Sequence, residues 1–150
     1  MQILNPILAI DYGQRRIGLA ISDSKGIVAS PLDVLQITKN KDESTVINEI
    51  LEIAKEYRIK TILLGMPQEF ETSYKQTSKK IESFKEKISR STDIPIVTYD
   101  ESYSTIEAKN MLLSLGQSYK SSKGKIDKIA ATVFLQEFLN SQNQANEISN

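Results

Sequence analysis

The sequence predicts an α/β domain on a five-stranded mixed sheet, three antiparallel strands followed by two parallel ones. Three observations predict it. The first 36 residues hold three short strand-like segments at close spacing, the pattern of an antiparallel meander. After them, apolar residues at helical spacing alternate with short apolar runs, the rhythm of strands joined through helices. No internal repeat or linker interrupts the chain, so residues 1–140 are expected to form one domain, with 141–150 as a polar, frayed C-terminal tail.

The first segment, Ile7-Leu8-Ala9-Ile10-Asp11, is a short apolar run for a buried strand. Residues 16–23 set Ile17, Leu19 and Ile21 against Gly18, Ala20 and Ser22, a period of two. Ser24-Lys25-Gly26 is a turn signal that Asp23 opens suitably. The stretch IVASPLDVL that follows reads as a third strand, with Pro31 marking an edge or an irregularity. From Thr45 to Tyr57, Val46, Ile47, Ile50, Leu51 and Ala54 make one helical stripe, with Asp42 or Ser44 available as its cap. KTILLG is a buried strand. Residues 73–90 are polar and lysine-rich around a thin stripe of Ile81, Phe84 and Ile88. IPIVTYDE is a strand ending in two acids. Amphipathic helices are expected over 105–115, through Ala108, Met111, Leu112 and Leu115, and over about 125–139, through Ile126, Ile129, Ala130, Val133, Phe134 and Phe138.

Composition narrows the chemistry. The chain has 150 residues, 39% of them apolar and 25% charged, an ordinary balance for a globular protein. No apolar run reaches the roughly 18 residues of a membrane span, and MQILNPI is not a secretory signal, so a cytoplasmic protein without membrane contact is expected. There is no cysteine, which removes disulfides, thiolate nucleophiles and Cys-ligated zinc. There is no histidine, which removes the commonest general base. Acid–base or metal chemistry must then rest on carboxylates, and carboxylates alone suit Mg²⁺ or Mn²⁺. Nineteen basic and nineteen acidic side chains cancel. No overall field draws the protein to nucleic acid, although lysines gather at 75–90 and again at Lys120, Lys123, Lys125 and Lys128. For any single run of charge a solvated face is the commoner outcome, while either cluster could also position a nucleic-acid strand through phosphate contacts.

Three carboxylates sit at element ends. Asp11 closes the first strand, Asp100 and Glu101 close the fifth, and Asp127 falls in the first turn expected for the last helix. In an open α/β sheet the carboxyl ends of parallel strands face one crevice, where Asp11, Glu101 and Asp127 could meet. Such a cluster repels itself unless cations intervene. With divalent ions it becomes a two-metal site that activates water for in-line attack on a phosphodiester, needing neither His nor Cys. Each acid has a plainer reading too: Asp11 as a turn opener, Asp127 as a helix-dipole complement, Glu101 as surface charge. Gly13 can serve a tight turn or the close approach of a phosphate backbone. Arg15 and Arg16 should face opposite ways, so at most one serves a phosphate.

These residues resemble a known family. DYGQRRIGLAISD, LLGMPQEF, VTYDESYST and GKIDKIAATVFLQEFL are similar, in order and over residues 7–139, to the successive blocks of the YqgF/RuvX family of RNase H-like proteins. That family is described as Holliday-junction resolvases and as nucleases that process the 5′ end of pre-16S rRNA. The resemblance implies an RNase H-like sheet with helices on both faces and an acidic catalytic, metal-holding triad at Asp11, Glu101 and Asp127. It also implies a phosphate contact at Arg16, with Gly13 and Lys125 as further substrate-binding positions. Two positions depart from the family pattern: Ser102 stands where an arginine is usual, and Gln68-Glu69-Phe70-Glu71 follows Gly65-Met66-Pro67 in place of an Asn- and Gly-containing loop.

The function this implies is a metal-dependent nuclease, acting on precursor rRNA in ribosome biogenesis or on branched DNA, as a monomer or a homodimer. A nucleic-acid-binding module without turnover is the alternative that Ser102 and the altered loop favour. An ATP-binding protein is a third reading, since Asp-x-Gly after a first strand also opens sugar-kinase and actin-like folds. Those pair two such domains, and this chain offers one.

Overall fold

The computed structural model describes residues 2–66, 74–100 and 123–149. Five strands, β1 (Ile7–Asp11), β2 (Arg16–Ser22), β3 (Ala29–Gln36), β4 (Thr61–Met66) and β5 (Ile96–Asp100), form one sheet in the order β3-β2-β1-β4-β5. β2 runs antiparallel to both β1 and β3, while β4 is parallel to both β1 and β5. The expected mixed sheet is therefore present, with β1 at its centre and the carboxyl ends of β1, β4 and β5 along one edge. Proline finds its place on the edge strand: opposite Leu19–Ala20, the register of β3 jumps from Asp33 to Pro31, leaving Leu32 as the extra residue of a bulge.

Among the described residues three helices cover the sheet: α1 (Glu43–Glu56), α2 (Tyr74–Ser91) and α3 (Lys123–Ser149). Strand alternation divides the sheet's apolar side chains between two cores. Leu8 and Ile10 of β1, Ile17 and Leu19 of β2, and Ile62 and Leu64 of β4 pack with Ile47 and Ile50 of α1 and Ile81, Phe84 and Ile88 of α2. Ile7, Ala9, Ala20 and Leu63 point the other way, onto Ala131, Phe134, Leu135, Phe138 and Leu139 of α3. Helices thus lie on both faces.

Local chemistry sets the ends of α1. Asp42 is the N-cap, its carboxylate accepting from Thr45 N at 2.9 Å. At the other end Ile59 N donates to Ala54 O and Arg58 N to Lys55 O, a Schellman closure with Arg58 at φ +54° where glycine is usual.

The last helix departs from expectation in three ways. It begins at Lys123, so Asp127 is its fifth residue and no acid occupies its first turn. The stripe that meets the sheet is Ala131-Phe134-Leu135-Phe138-Leu139, rotated from the one expected, while Ile129 and Val133 are buried as well. The supposed tail is helical to Ser149. Nothing from residue 125 onward is Gly or Pro. Asn143 also donates to Gly26 O at 3.1 Å, which fixes the polar extension against the β2–β3 turn. The helix expected over 105–115 lies outside the described residues, as do Glu101, Ser102 and the 68–71 loop.

Candidate active site

Asp11 stands at the carboxyl end of the central strand, partly buried. It has the parity of Ile7 and Ala9, so it belongs to the face covered by α3. Across the sheet it follows the Ile10–Leu64 pair, which puts it level with Gly65, and Gly65 in turn pairs with Tyr99 of β5. Tyr99 is turned to the same face, stacking on Phe134 at 6.1 Å and meeting Phe138 edge-on at 5.7 Å. β5 ends at Asp100. Glu101, the next residue and two past Tyr99 in the chain, lies outside the described residues.

The direction of α3 follows from its side-chain anchors. Ser22 Oγ accepts from Ile7 N at 2.7 Å, so the β2–β3 turn lies at the amino edge of β1. Gln136 bonds Ala29 N and Ile27 O, each at 2.9 Å, and Asn143 reaches Gly26 at that same end. Earlier residues of the helix therefore lie toward the carboxyl edge. Asp127 precedes Gln136 by a helical rise of about 13 Å. From Ile7 to Asp11 a strand rises about 13 Å as well. The backbone of Asp127 is thus carried toward the end of the sheet where Asp11 stands. The side chains of Lys125 and Asp127 are outside the described set. Among the described residues no three His, Cys, Asp or Glu side chains gather to hold a metal.

The β1–β2 connection is tight. A Cβ on Gly13 would collide with the carbonyl oxygen of Arg16, so glycine is required for the turn itself. Arg16 begins β2 two residues before Gly18, the partner of Asp11, and so has the face parity of Asp11. It is partly buried, whereas Arg15 is exposed and its carbonyl accepts from Ile37 N at 2.8 Å. Asp23, at the opposite edge, is an organiser of the β2–β3 turn. Its Oδ1 accepts from Ile27 N at 2.7 Å and Val28 N at 2.9 Å, and the Val28 amide is the main cause holding its carboxyl below the usual range.

Two groupings were not legible in the sequence. Tyr12, the neighbour of Asp11, turns to the other face, its ring 4.6 Å from that of Phe84 and its hydroxyl donating to Glu43 Oε2 at 3.1 Å. Lys87 Nζ pairs with the other oxygen of Glu43 at 3.0 Å. Burial, then the Glu43 charge and hydrogen bond, push the Tyr12 phenol up to about 12. On the α3 side, burial and the carboxylate of Glu137, to which Tyr99 donates, push the Tyr99 phenol well above its ordinary value. Among the described residues the buried Glu137 Oε2 has no hydrogen-bond partner. No sequence spacing links residues 12, 43 and 87, or 99 and 137, because each grouping spans separate elements. Of the 75–90 cluster, Lys87 is tied to Glu43 and Arg90 to Glu86.

Comparison with known proteins gives the family and the fold. A family described as RuvX, Holliday junction resolvase, matches residues 5–141. A protein of Halothermothrix orenii named "Putative pre-16S rRNA nuclease" is 36% identical over 138 residues, covering 92% of this chain and 96% of that protein. One of Dictyoglomus turgidum with the same name is 38% identical over 135 residues, covering 90% and 94%. Among solved structures, Thermus thermophilus RuvC in complex with a Holliday junction substrate aligns with a TM-score of 0.63 at 11% identity, over 92% of this chain and 95% of that one. Fowlpox virus resolvase with Holliday junction DNA aligns at 0.54 and 14% identity, over 92% and 99%. These likenesses show the fold: an RNase H-like sheet of the RuvC type.

Proposed function

The chain belongs to the RuvX family, described as Holliday junction resolvases, and on that premise we propose that it is a metal-dependent nuclease with Asp11, Glu101 and Asp127 as its catalytic acids. The observation that carries this reading is the position of Asp11. It sits at the carboxyl end of the central strand, level with the end of β5 and on the face over which α3 descends from the carboxyl edge. The start of α3 at Lys123 removes a plainer role for Asp127, since an acid in the second turn lies outside the reach of the terminal dipole. The family match supports treating residues 1–140 as the nuclease domain.

The donor set is carboxylate oxygen alone, in a chain without His or Cys, which fits Mg²⁺ or Mn²⁺ held by Asp11, Glu101 and Asp127. When bound, such ions supply Lewis-acid stabilisation of the phosphodiester oxygens and acidify water for in-line attack. The protein's own residues position the substrate. Gly13 keeps the β1–β2 turn short, so Arg16 enters β2 on the Asp11 face, where its guanidinium is suited to a backbone phosphate. Lys125, early on α3, is the second cation assigned to the strand.

The substrate proposed is the 5′ leader of precursor 16S rRNA, as the names of the relatives indicate. The family description favours branched DNA as a second substrate. Junction resolution requires paired sites and hence a homodimer; leader trimming requires one. Wild type and Asp11→Asn are compared on a precursor rRNA leader and a four-way DNA junction with Mn²⁺. The expected result is cleavage of the RNA by wild type and a loss of at least about a hundredfold in the variant. Equal cleavage by the two proteins overturns the site, and binding without cleavage under any divalent ion converts the reading to a binding module.

A further inference from the structure

We propose that the pocket beside Tyr12, on the side of β1 away from α3, is a second phosphate subsite for the nucleic-acid backbone. It would take a phosphate flanking the one that is cut. The inference rests on the nucleic-acid reading above and concerns residues which that reading does not use.

The pocket, about 360 Å³, is lined by Tyr12, Gln14, Glu43, Lys80, Ser83 and Lys87. Its place follows from α2. Ile81, Phe84 and Ile88 form the buried stripe, and Lys80, Ser83 and Lys87, each one residue earlier, form a polar stripe along its border. Phe84 packs on the Tyr12 ring, so this polar stripe faces the β1–β2 turn. Tyr12 follows Asp11 and turns to the opposite face, so the pocket lies across the carboxyl end of β1 from the Asp11 face.

Its chemistry is that of an oxyanion site. Among the described lining residues the one acid, Glu43, is already engaged, accepting from the Tyr12 hydroxyl at 3.1 Å and from Lys87 at 3.0 Å. That leaves the charge of Lys80 in excess. Lys80 is exposed and takes part in none of the ion pairs among the described residues. The Gln14 amide and the Ser83 hydroxyl add neutral donors, and Glu43 holds Lys87 in place instead of cancelling the whole site. Two lysines, an amide and a hydroxyl around an open pocket match a diester phosphate, which carries a single charge and has oxygens to accept from several donors. A divalent cation would instead need several free carboxylate oxygens, and the described lining residues offer none.

The test is the salt dependence of binding. Fluorescein-labelled four-way DNA junction and precursor rRNA leader are titrated, with EDTA to prevent cleavage, against wild type, Lys80→Gln, Lys80→Arg and Lys55→Gln. Lys55 is exposed near the far end of α1 and serves as the charge control. The expected result is a slope of log affinity against log salt reduced by roughly 0.7 to 0.9 in Lys80→Gln. Lys80→Arg should restore it and Lys55→Gln should leave it unchanged. With Mn²⁺, Lys80→Gln should raise KM several-fold at constant kcat. A response confined to one probe identifies which backbone the pocket serves. An unchanged slope in Lys80→Gln, or an equal fall in Lys55→Gln, overturns the subsite. Wild type that binds with the expected slopes and cleaves nothing leaves the subsite standing and overturns the catalytic reading. Wild type that binds neither probe overturns both.

Discussion

Asp11 and Tyr99 stand level on the same face of the sheet, two strands apart, with only the hydrogen of Gly65 between them. A parallel pair of strands places neighbours about 4.8 Å apart. Gly65 is itself buried, so a side chain added there would crowd the space between the carboxylate of β1 and the end of β5. If the scissile phosphate sits between Asp11 and the end of β5, the added methyl of Gly65→Ala should cut cleavage by roughly ten- to hundredfold while the protein stays folded. Circular dichroism and turnover on the rRNA leader, run side by side, check this. Full activity in a folded Gly65→Ala protein would mean the substrate does not pass there.

The phenol of Tyr12 provides a pH readout on the other side of β1. Burial and Glu43 raise its pKa from 10.0 to about 12, so the folded state favours the neutral form. Its contribution to stability is then complete below pH 10 and is lost as pH rises through about 12. Glu43→Gln removes the charge and leaves the burial, so the phenol should titrate between these values. The difference in phenolate absorbance between each protein and its Tyr12→Phe counterpart measures it. A midpoint that does not move would show that Glu43 does not govern this group in solution.

Gln136 is expected to matter more for stability than its polar character suggests. Its amide satisfies Ala29 N and Ile27 O on the segment entering edge strand β3. Gln136→Ala leaves both backbone groups without that partner and should cost about 1–3 kcal/mol. For a chain of this size that lowers Tm by roughly 2–9 °C, read by thermal denaturation.

Arg58 is the opposite case, a position where a substitution should stabilise. It adopts φ +54° to close α1, a conformation in which a Cβ costs about 1–2 kcal/mol. Arg58→Gly should raise stability by about 1 kcal/mol in urea denaturation, with an unchanged slope. A loss of stability instead would mean that the Arg58 side chain makes compensating contacts.

Much of this was legible in the chain. Ile7–Asp11 and Ile17–Ser22 announced themselves by apolar runs and alternation, and Ile81, Phe84 and Ile88 marked the buried side of α2 by spacing. Pro31 correctly signalled an edge with a bulge, because a proline cannot donate into an interior ladder. The length of α3 was not legible. A polar segment without Gly or Pro can fray or fold, and the choice fell to a contact from Asn143 to Gly26, 117 residues away in sequence. The stripe of α3 was legible in part for a related reason: Phe134 and Phe138 face the sheet as expected, but Ile129 and Val133 are buried as well, so apolar spacing alone did not add Ala131, Leu135 and Leu139 to the face that meets it.

The sequence by itself determined the kind of chemistry open to this protein. With no His and no Cys, imidazole and thiolate chemistry are excluded and carboxylates are the acidic groups left, and the order of the blocks determined the family. Tertiary structure alone decided what stands beside Asp11. Strand register set it level with Gly65 and Tyr99, and the anchors of α3 aimed that helix at the carboxyl edge. Packing of Phe84 on Tyr12 drew Glu43, Lys80 and Lys87 into a pocket one residue away. Composition and periodicity are properties of a chain read locally. A site is made of groups from distant segments, and their meeting depends on register and packing that no local window contains.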